Sequence, residues 1–251
     1  MVARHDQVTD PVLVEALATV RLGTSYFRRA LSRLSDDDFD GPSLLPGWSR
    51  RHLVAHVGYN ARAVARLVTW AATGAETPMY SSPQARQEEI ELGATQRPDA
   101  LRSLCEHAAI ELDVRWRDLP DERWAEKVMT AQGRTVPVSE TLWMRTREVW
   151  LHAVDLGVGE RIAEIPEVVL ERLLGDIVGM WEKRDELDGL ALRASRVDGS
   201  VTTLGADADA EATLSGPLSS VVAWASGRDR ATTTASSLTW VGDVRMAPRW
   251  I

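Results

Sequence analysis

The chain carries a single cysteine, Cys105, among its 251 residues, so no intrachain disulfide framework can hold it together. Long apolar runs are missing as well. Pieces such as VVAWA at Val221 to Ala225 fall far short of the roughly 20 residues that span a bilayer. The opening stretch MVARHDQVTDPVLVEALATV lacks the continuous apolar segment of a signal peptide, and a cytoplasmic protein is expected. Positive charge is in deficit: lysine plus arginine number 29 against 37 aspartates and glutamates, for a formal net charge of −8. That balance argues against a nucleic-acid backbone or an anionic membrane as partner, although single arginines can still bind a small anion. No internal repeat or low-complexity segment is present, while Thr232 to Ser237 (TTTASS) reads as a flexible loop. What is there is a composition of 44% hydrophobic and 26% charged residues, enough for one large domain or two modest ones with a real core.

The first half reads as four long helices. Asp10 and Pro11 give a cap and a first-turn proline, after which Leu13, Leu17, Val20, Phe27, Leu31 and Leu34 recur at helical spacing to about Ser35, despite Gly23. After LLPGW, Ser49 caps a second helix to about Thr73. Pro98 opens a third with Leu101, Leu104, Cys105, Ala108, Leu112 and Trp116, and a fourth runs from about Ser139 to Gly157. Between the second and third helices TGAETPMYSSPQARQEEIELGATQR is too long for a tight turn, and VMTAQGRTVPV separates the third from the fourth. Such excursions are usually functional or mobile. After Gly157 the pattern changes. Pro166 opens a helix to about Leu187, followed by the alternating stretches LALRAS, VTTLG and EATLSG, the helix PLSSVVAWASG and the stretch SLTWVGD. The whole is an α+β protein, with domains expected at 1–160 and 161–251. Trp70, Trp116, Trp143, Trp150 and Trp181 sit at periodic helix positions, which favours core packing over an exposed contact surface and leads to the expectation of a monomer.

In MRTREVWLHAVDLG, Glu148 and His152 fall about 40° apart on a helical wheel, with Thr141, Arg145 and Asp155 on the same stripe. The rest of that helix is mostly apolar. One reading is a solvated face whose charged pairs contribute a few tenths of a kcal/mol each. The other needs a partner face. In the second helix, Arg51, Arg62 and Arg66 mark the solvent side and Leu53, Val57, Val64 and Leu67 the buried one. His56 lies toward the buried side and His52 nearer the border, while Asn60 falls in the middle of the apolar face, where a polar group needs a partner. A histidine on an apolar face can simply be a satisfied core residue. Packed together, however, the two faces supply His56, Glu148 and His152, two imidazoles and a carboxylate, a known zinc-ligand set that leaves a fourth position open. Spacing alone leaves both readings standing.

The segments LLPGWSRRHLVAHVGYNA and VMTAQGRTVPVSETLWMRTREVWLHAVDLG, with TGAETPMYSSPQARQEEI between them, resemble the mycothiol-dependent maleylpyruvate isomerase family. The resemblance is strongest up to about Ile165 and looser beyond. It implies an N-terminal DinB-like four-helix bundle followed by a small C-terminal α/β domain, sterol-carrier-protein-like, that closes the active-site cleft. It further implies a divalent metal, zinc, on His56, Glu148 and His152. In that family mycothiol is the cosubstrate, its thiol held as thiolate at the metal, and maleylpyruvate is isomerised to fumarylpyruvate in gentisate breakdown. Cys105 sits on the apolar stripe of its helix and reads as a core thiol, which is why the nucleophile must come from outside. The resemblance also points to Arg228, in ASGR, as the arginine that binds the anionic reactants, with Arg230, Arg86, Arg134 and Arg145 as the other candidates. Two other functions share the metal ligands: a zinc-dependent mycothiol S-transferase that stops at the adduct, and a metal-binding module without turnover.

Overall fold

A computed structural model describes residues 5–206, 210–228 and 237–250. The chain divides into two compact units, Met1–Gly159 and Glu160–Ile251. No described helix is long and apolar enough to cross a membrane.

The first unit is built on α1 (Pro11–Ser32), α2 (Arg50–Thr73), α3 (Pro83–Ala94), α4 (Pro98–Arg117) and α5 (Glu140–Asp155). Local chemistry sets the helix starts. The Asp10 carboxylate accepts from Val12 N ahead of α1, and Ser49 and Ser82 do the same for His52 N and Ala85 N ahead of α2 and α3. Gly74 closes α2 in the left-handed region at φ 76°, which a side chain would resist. Leu17 and Val20 from α1, Val64 and Leu67 from α2, Leu112 and Trp116 from α4 and Leu142 from α5 share one core.

Gly23, an oddity in the sequence pattern of α1, is where that helix meets α5. A Cβ there would stand 2.6 Å from Trp150 Nε1 and 2.8 Å from Val149 Cγ2, so only glycine permits the approach. The segment VMTAQGRTVPV is a β-hairpin, β1 (Lys127–Met129) against β2 (Thr135–Pro137), which buries Val128 and Val136 opposite one another. The other excursion is half helix. Ser82 and Pro83 start α3, which buries only Ile90 and Gly93, too few positions to register as a periodic stripe.

In the second unit, α6 (Glu167–Lys183) precedes a sheet of order β4-β3-β5-β6. Its strands are β3 (Leu190–Ser195), β4 (Val201–Gly205), β5 (Ala212–Pro217) and β6 (Thr239–Val241), with α7 (Leu218–Ala225) directly after β5. β3 pairs antiparallel with β4 and parallel with β5, setting Leu192 between Leu204 and Leu214. Trp224 of α7 meets Trp181 of α6 and Trp240 of β6 edge-on, at centroid distances of 6.0 and 5.6 Å. Two helix ends differ from the sequence reading. α1 stops at Ser32 instead of Ser35, because the Arg33 N–H turns back to Ala30 O and Leu31 O. α6 stops at Lys183 instead of Leu187, because Asp185 takes φ 56°, outside the helical region.

Candidate metal centre

α2 and α5 lie against each other in the first unit, and their polar positions meet where the apolar ones leave room. His56 Nε2 stands 2.9 Å from Glu148 Oε2, and His152 Nε2 stands 3.1 Å from the same oxygen. The three donor atoms all lie within 4.8 Å of one another, close enough to converge on one ion. The imidazole rings of His56 and His152 are nearly perpendicular, with centroids 5.1 Å apart. Trp48, from the loop before α2, packs edge-on against His56 at 5.4 Å. That loop and the first residue of α2 are tied to the end of α5, since Leu44 N donates to Asp155 O and Arg50 Nε donates to Leu156 O, each at 2.8 Å.

The stripe on α5 is not a solvated face. Arg145 is 3% exposed, and Thr141 and Asp155 are fully covered. Arg145 Nη1 donates to Val57 O and to Asn60 Oδ1, each at 2.8 Å, which supplies the partner that Asn60 needed and commits this arginine to the backbone of α2. The Thr141 hydroxyl accepts from Trp116 Nε1 at 3.1 Å. Asp155 Oδ2 is 2.8 Å from His152 Nδ1, fixing the ring so that Nε2 points at Glu148. The role of Asp155 was not legible beforehand. The only signal was its position three residues after His152 on the same stripe.

The electrostatics follow from burial and from these contacts. Burial pushes the Glu148 carboxyl up, but the hydrogen bonds and charges of His152 and His56 prevail and hold it well below the usual carboxylate range. Burial pulls both imidazoles down. It prevails at His56, whereas Asp155 and Glu148 together raise His152 above its ordinary value. Glu148 keeps 19% and His152 12% of the side chain exposed, so the donors line an opening and are not sealed in the core. Two imidazoles and a carboxylate beside an opening are the donor set of a metal site with room for an added ligand.

His52, by contrast, turns away: its Nδ1 is 2.7 Å from Ser49 Oγ and its Nε2 is 3.4 Å from Glu91 Oε2. Cys105 is buried, donates to Val54 O at 3.2 Å and has its thiol pushed by burial up to about 12. Arg86, on α3, brings Nη2 to 3.4 Å from His56 Nδ1. Arg134 is exposed at the turn of the hairpin. In the second unit Arg228 is 8% exposed and donates Nη1 to Ser226 O at 3.0 Å, while Arg230 lies outside the described residues.

Comparison with known proteins follows the same lines. The family model for the mycothiol maleylpyruvate isomerase N-terminal domain matches residues 20–157. The crystal structure of the mycothiol-dependent maleylpyruvate isomerase is 47% identical, with a TM-score of 0.87 over 95% of this chain and 97% of that one. A histidine-to-alanine variant of that enzyme gives 46% identity with the same coverage and TM-score. Among curated proteins, none matches the sequence. A family model covering more than half of the chain, a shared fold and near-complete mutual coverage make this chain a member of the mycothiol maleylpyruvate isomerase family.

Proposed function

We propose that the protein isomerises maleylpyruvate to fumarylpyruvate with mycothiol as cosubstrate, and that His56, Glu148 and His152 hold a divalent metal ion, zinc. The observation that carries this reading is the convergence of the three donor atoms, within 4.8 Å, in a chain 47% identical to an enzyme of that activity. A monomeric, cytoplasmic protein is part of the same reading.

A bound divalent cation supplies what the chain lacks: it favours the deprotonated form of a thiol, whose ordinary pKa is about 8.5. The chain's own thiol is no substitute, because Cys105 is buried and its pKa is driven up to about 12. In the reaction, the external sulfur adds to one carbon of the substrate's C=C bond. A C–S bond forms, and the alkene electron pair moves into the conjugated carbonyl as an enolate. The central bond, now single, rotates. The enolate pair then re-forms the double bond in trans and expels the sulfur, returning the thiol unchanged.

The residues of this chain contribute orientation and charge. Asp155 holds His152 in one tautomer, and both histidines keep Glu148 ionised. Trp48 flanks His56 with apolar surface, which strengthens nearby electrostatic interactions. Arg228 is proposed to bind the anionic reactants, where charge developing on the enolate strengthens the contact. The test is product identity. Zinc-loaded protein, mycothiol and maleylpyruvate are followed by proton NMR, in which cis and trans alkenes differ in coupling constant. Accumulation of the trans isomer supports the reading, and an unchanged substrate refutes it.

A further inference from the structure

A histidine that binds a metal through one ring nitrogen presents the other as a donor, and that donor needs an acceptor. His152 has one in Asp155, 2.8 Å from Nδ1. His56 has none. Its Nε2 faces Glu148 at 2.9 Å and is therefore the atom that would meet the metal, which leaves the proton on Nδ1. What faces Nδ1 is Arg86 Nη2, at 3.4 Å. A guanidinium has five N–H donors and no acceptor. With Nε2 engaged, two donors point at one another, and an acceptor placed between them would satisfy both.

Arg86 is itself short of an anion. It is half-buried in the first turn of α3, and among the described residues no carboxylate pairs with it. Two of the acidic neighbours on its helix are turned elsewhere: Glu89 lies 4.0 Å from Arg66 and Glu91 lies 3.4 Å from His52. The Tyr80 oxygen accepts a hydrogen bond from Arg86, a neutral partner that leaves the guanidinium charge unmatched and brings the phenol O–H to the same place. Arg145, the other arginine beside the triad, is already bonded to Val57 O and Asn60.

We propose that Arg86 is a carboxylate receptor of the reaction site: one carboxylate of the anionic substrate seats between its guanidinium and the His56 Nδ1–H, with the Tyr80 hydroxyl beside it. The substrate then supplies for His56 what Asp155 supplies for His152. Its alkene is oriented by the same contact, since a planar guanidinium grips a carboxylate in two places. This inference rests on the proposed isomerase function, and the test keeps the two apart.

Zinc-loaded protein is titrated calorimetrically with maleate in the absence of thiol. Arg86→Gln should weaken maleate binding by about 10- to 100-fold, the worth of a charge-assisted hydrogen bond. Arg86→Lys should recover only part of it, because the fork geometry is lost. Zinc content and mycothiol affinity should stay at the wild-type level, and in turnover KM should rise more than kcat falls. The same charge change on the outer face of α1, at Arg28, which is exposed and paired with Glu106, should leave maleate affinity unchanged in Arg28→Gln. Maleate affinity unaltered in zinc-loaded Arg86→Gln, or no maleate binding by the wild type, overturns the proposal. So does loss of zinc in Arg86→Gln, which would make Arg86 a prop for His56. An Arg86-dependent maleate site in a protein that leaves maleylpyruvate untouched would instead overturn the isomerase reading alone.

Discussion

Asp155 makes its contribution through another side chain: without its carboxylate, His152 Nδ1 has no acceptor and the ring loses what aims Nε2 at Glu148. Replacing such a partner typically costs 10- to 100-fold in metal affinity. Asp155→Ala is expected in that range and Asp155→Asn, which keeps an acceptor but not the charge, between it and wild type; competition with a chromophoric chelator measures both. Affinity unchanged in Asp155→Ala would make the contact incidental. The ligands themselves give a sharper outcome. Elemental analysis should find about one zinc per chain in the wild type and in His52→Ala, and none in His56→Ala, Glu148→Ala or His152→Ala. Retention in His56→Ala with loss in His52→Ala would put the site one turn of α2 away. Cys105→Ala should keep its activity and lose on the order of 1 kcal/mol of stability, for a small buried side chain. An inactive but folded and zinc-loaded variant would contradict an external nucleophile. At this scale the sequence pattern exposed the candidate ligands and the stripe that carries them. It could not tell that the stripe is buried, because a wheel describes one helix at a time, and Arg145 owes its environment to Asn60 and Val57 on another.

Helix α3 illustrates what is lost when an element has almost no core face. Its start was written in Ser82 and Pro83, but with only Ile90 and Gly93 buried there was no periodicity to read. The four long helices, each with a full apolar stripe, were legible nearly to their ends. Gly93 is what lets α3 lie on α2: a Cβ there would meet Ala55 Cβ and Tyr59 Cε2, both at 2.7 Å. Alanine at this position gains about 1 kcal/mol of helix propensity, yet overpacking costs about 1–3 kcal/mol, and the Ala55 Cβ is anchored to backbone and cannot yield. Gly93→Ala should therefore be destabilised in denaturant unfolding. Because α3 carries Arg86, its KM should rise while zinc stays bound. A variant at least as stable as wild type, with normal KM, would show that α3 needs no such close seat.

Over the whole molecule, all three proposed ligands, their supporting Asp155 and the core that holds the bundle fall within Met1–Gly159. A chain ending at Gly159 is expected to fold and to bind zinc as the full chain does, checked by circular dichroism and elemental analysis. A truncated chain that folds but holds no zinc would mean that the site is not the property of this unit. The second unit was legible as a mixture of helices and short strands because alternation marked LALRAS and VTTLG. Its sheet order was not, since the parallel pairing of β3 with β5 joins strands that sequence separates by β4.

The central claim is that the protein employs an external thiol as a catalyst, and the direct measurement is the number of substrate molecules converted per molecule of mycothiol. Maleylpyruvate is supplied to zinc-loaded protein with no thiol, with mycothiol well below the substrate concentration, and with excess glutathione. The expected result is no conversion without thiol, complete conversion with many turnovers per mycothiol, and little with glutathione, whose different shape forgoes the contacts that orient the sulfur. Rapid conversion without thiol, or one stable adduct formed per mycothiol consumed, would contradict it, and the second outcome would make the protein an S-transferase.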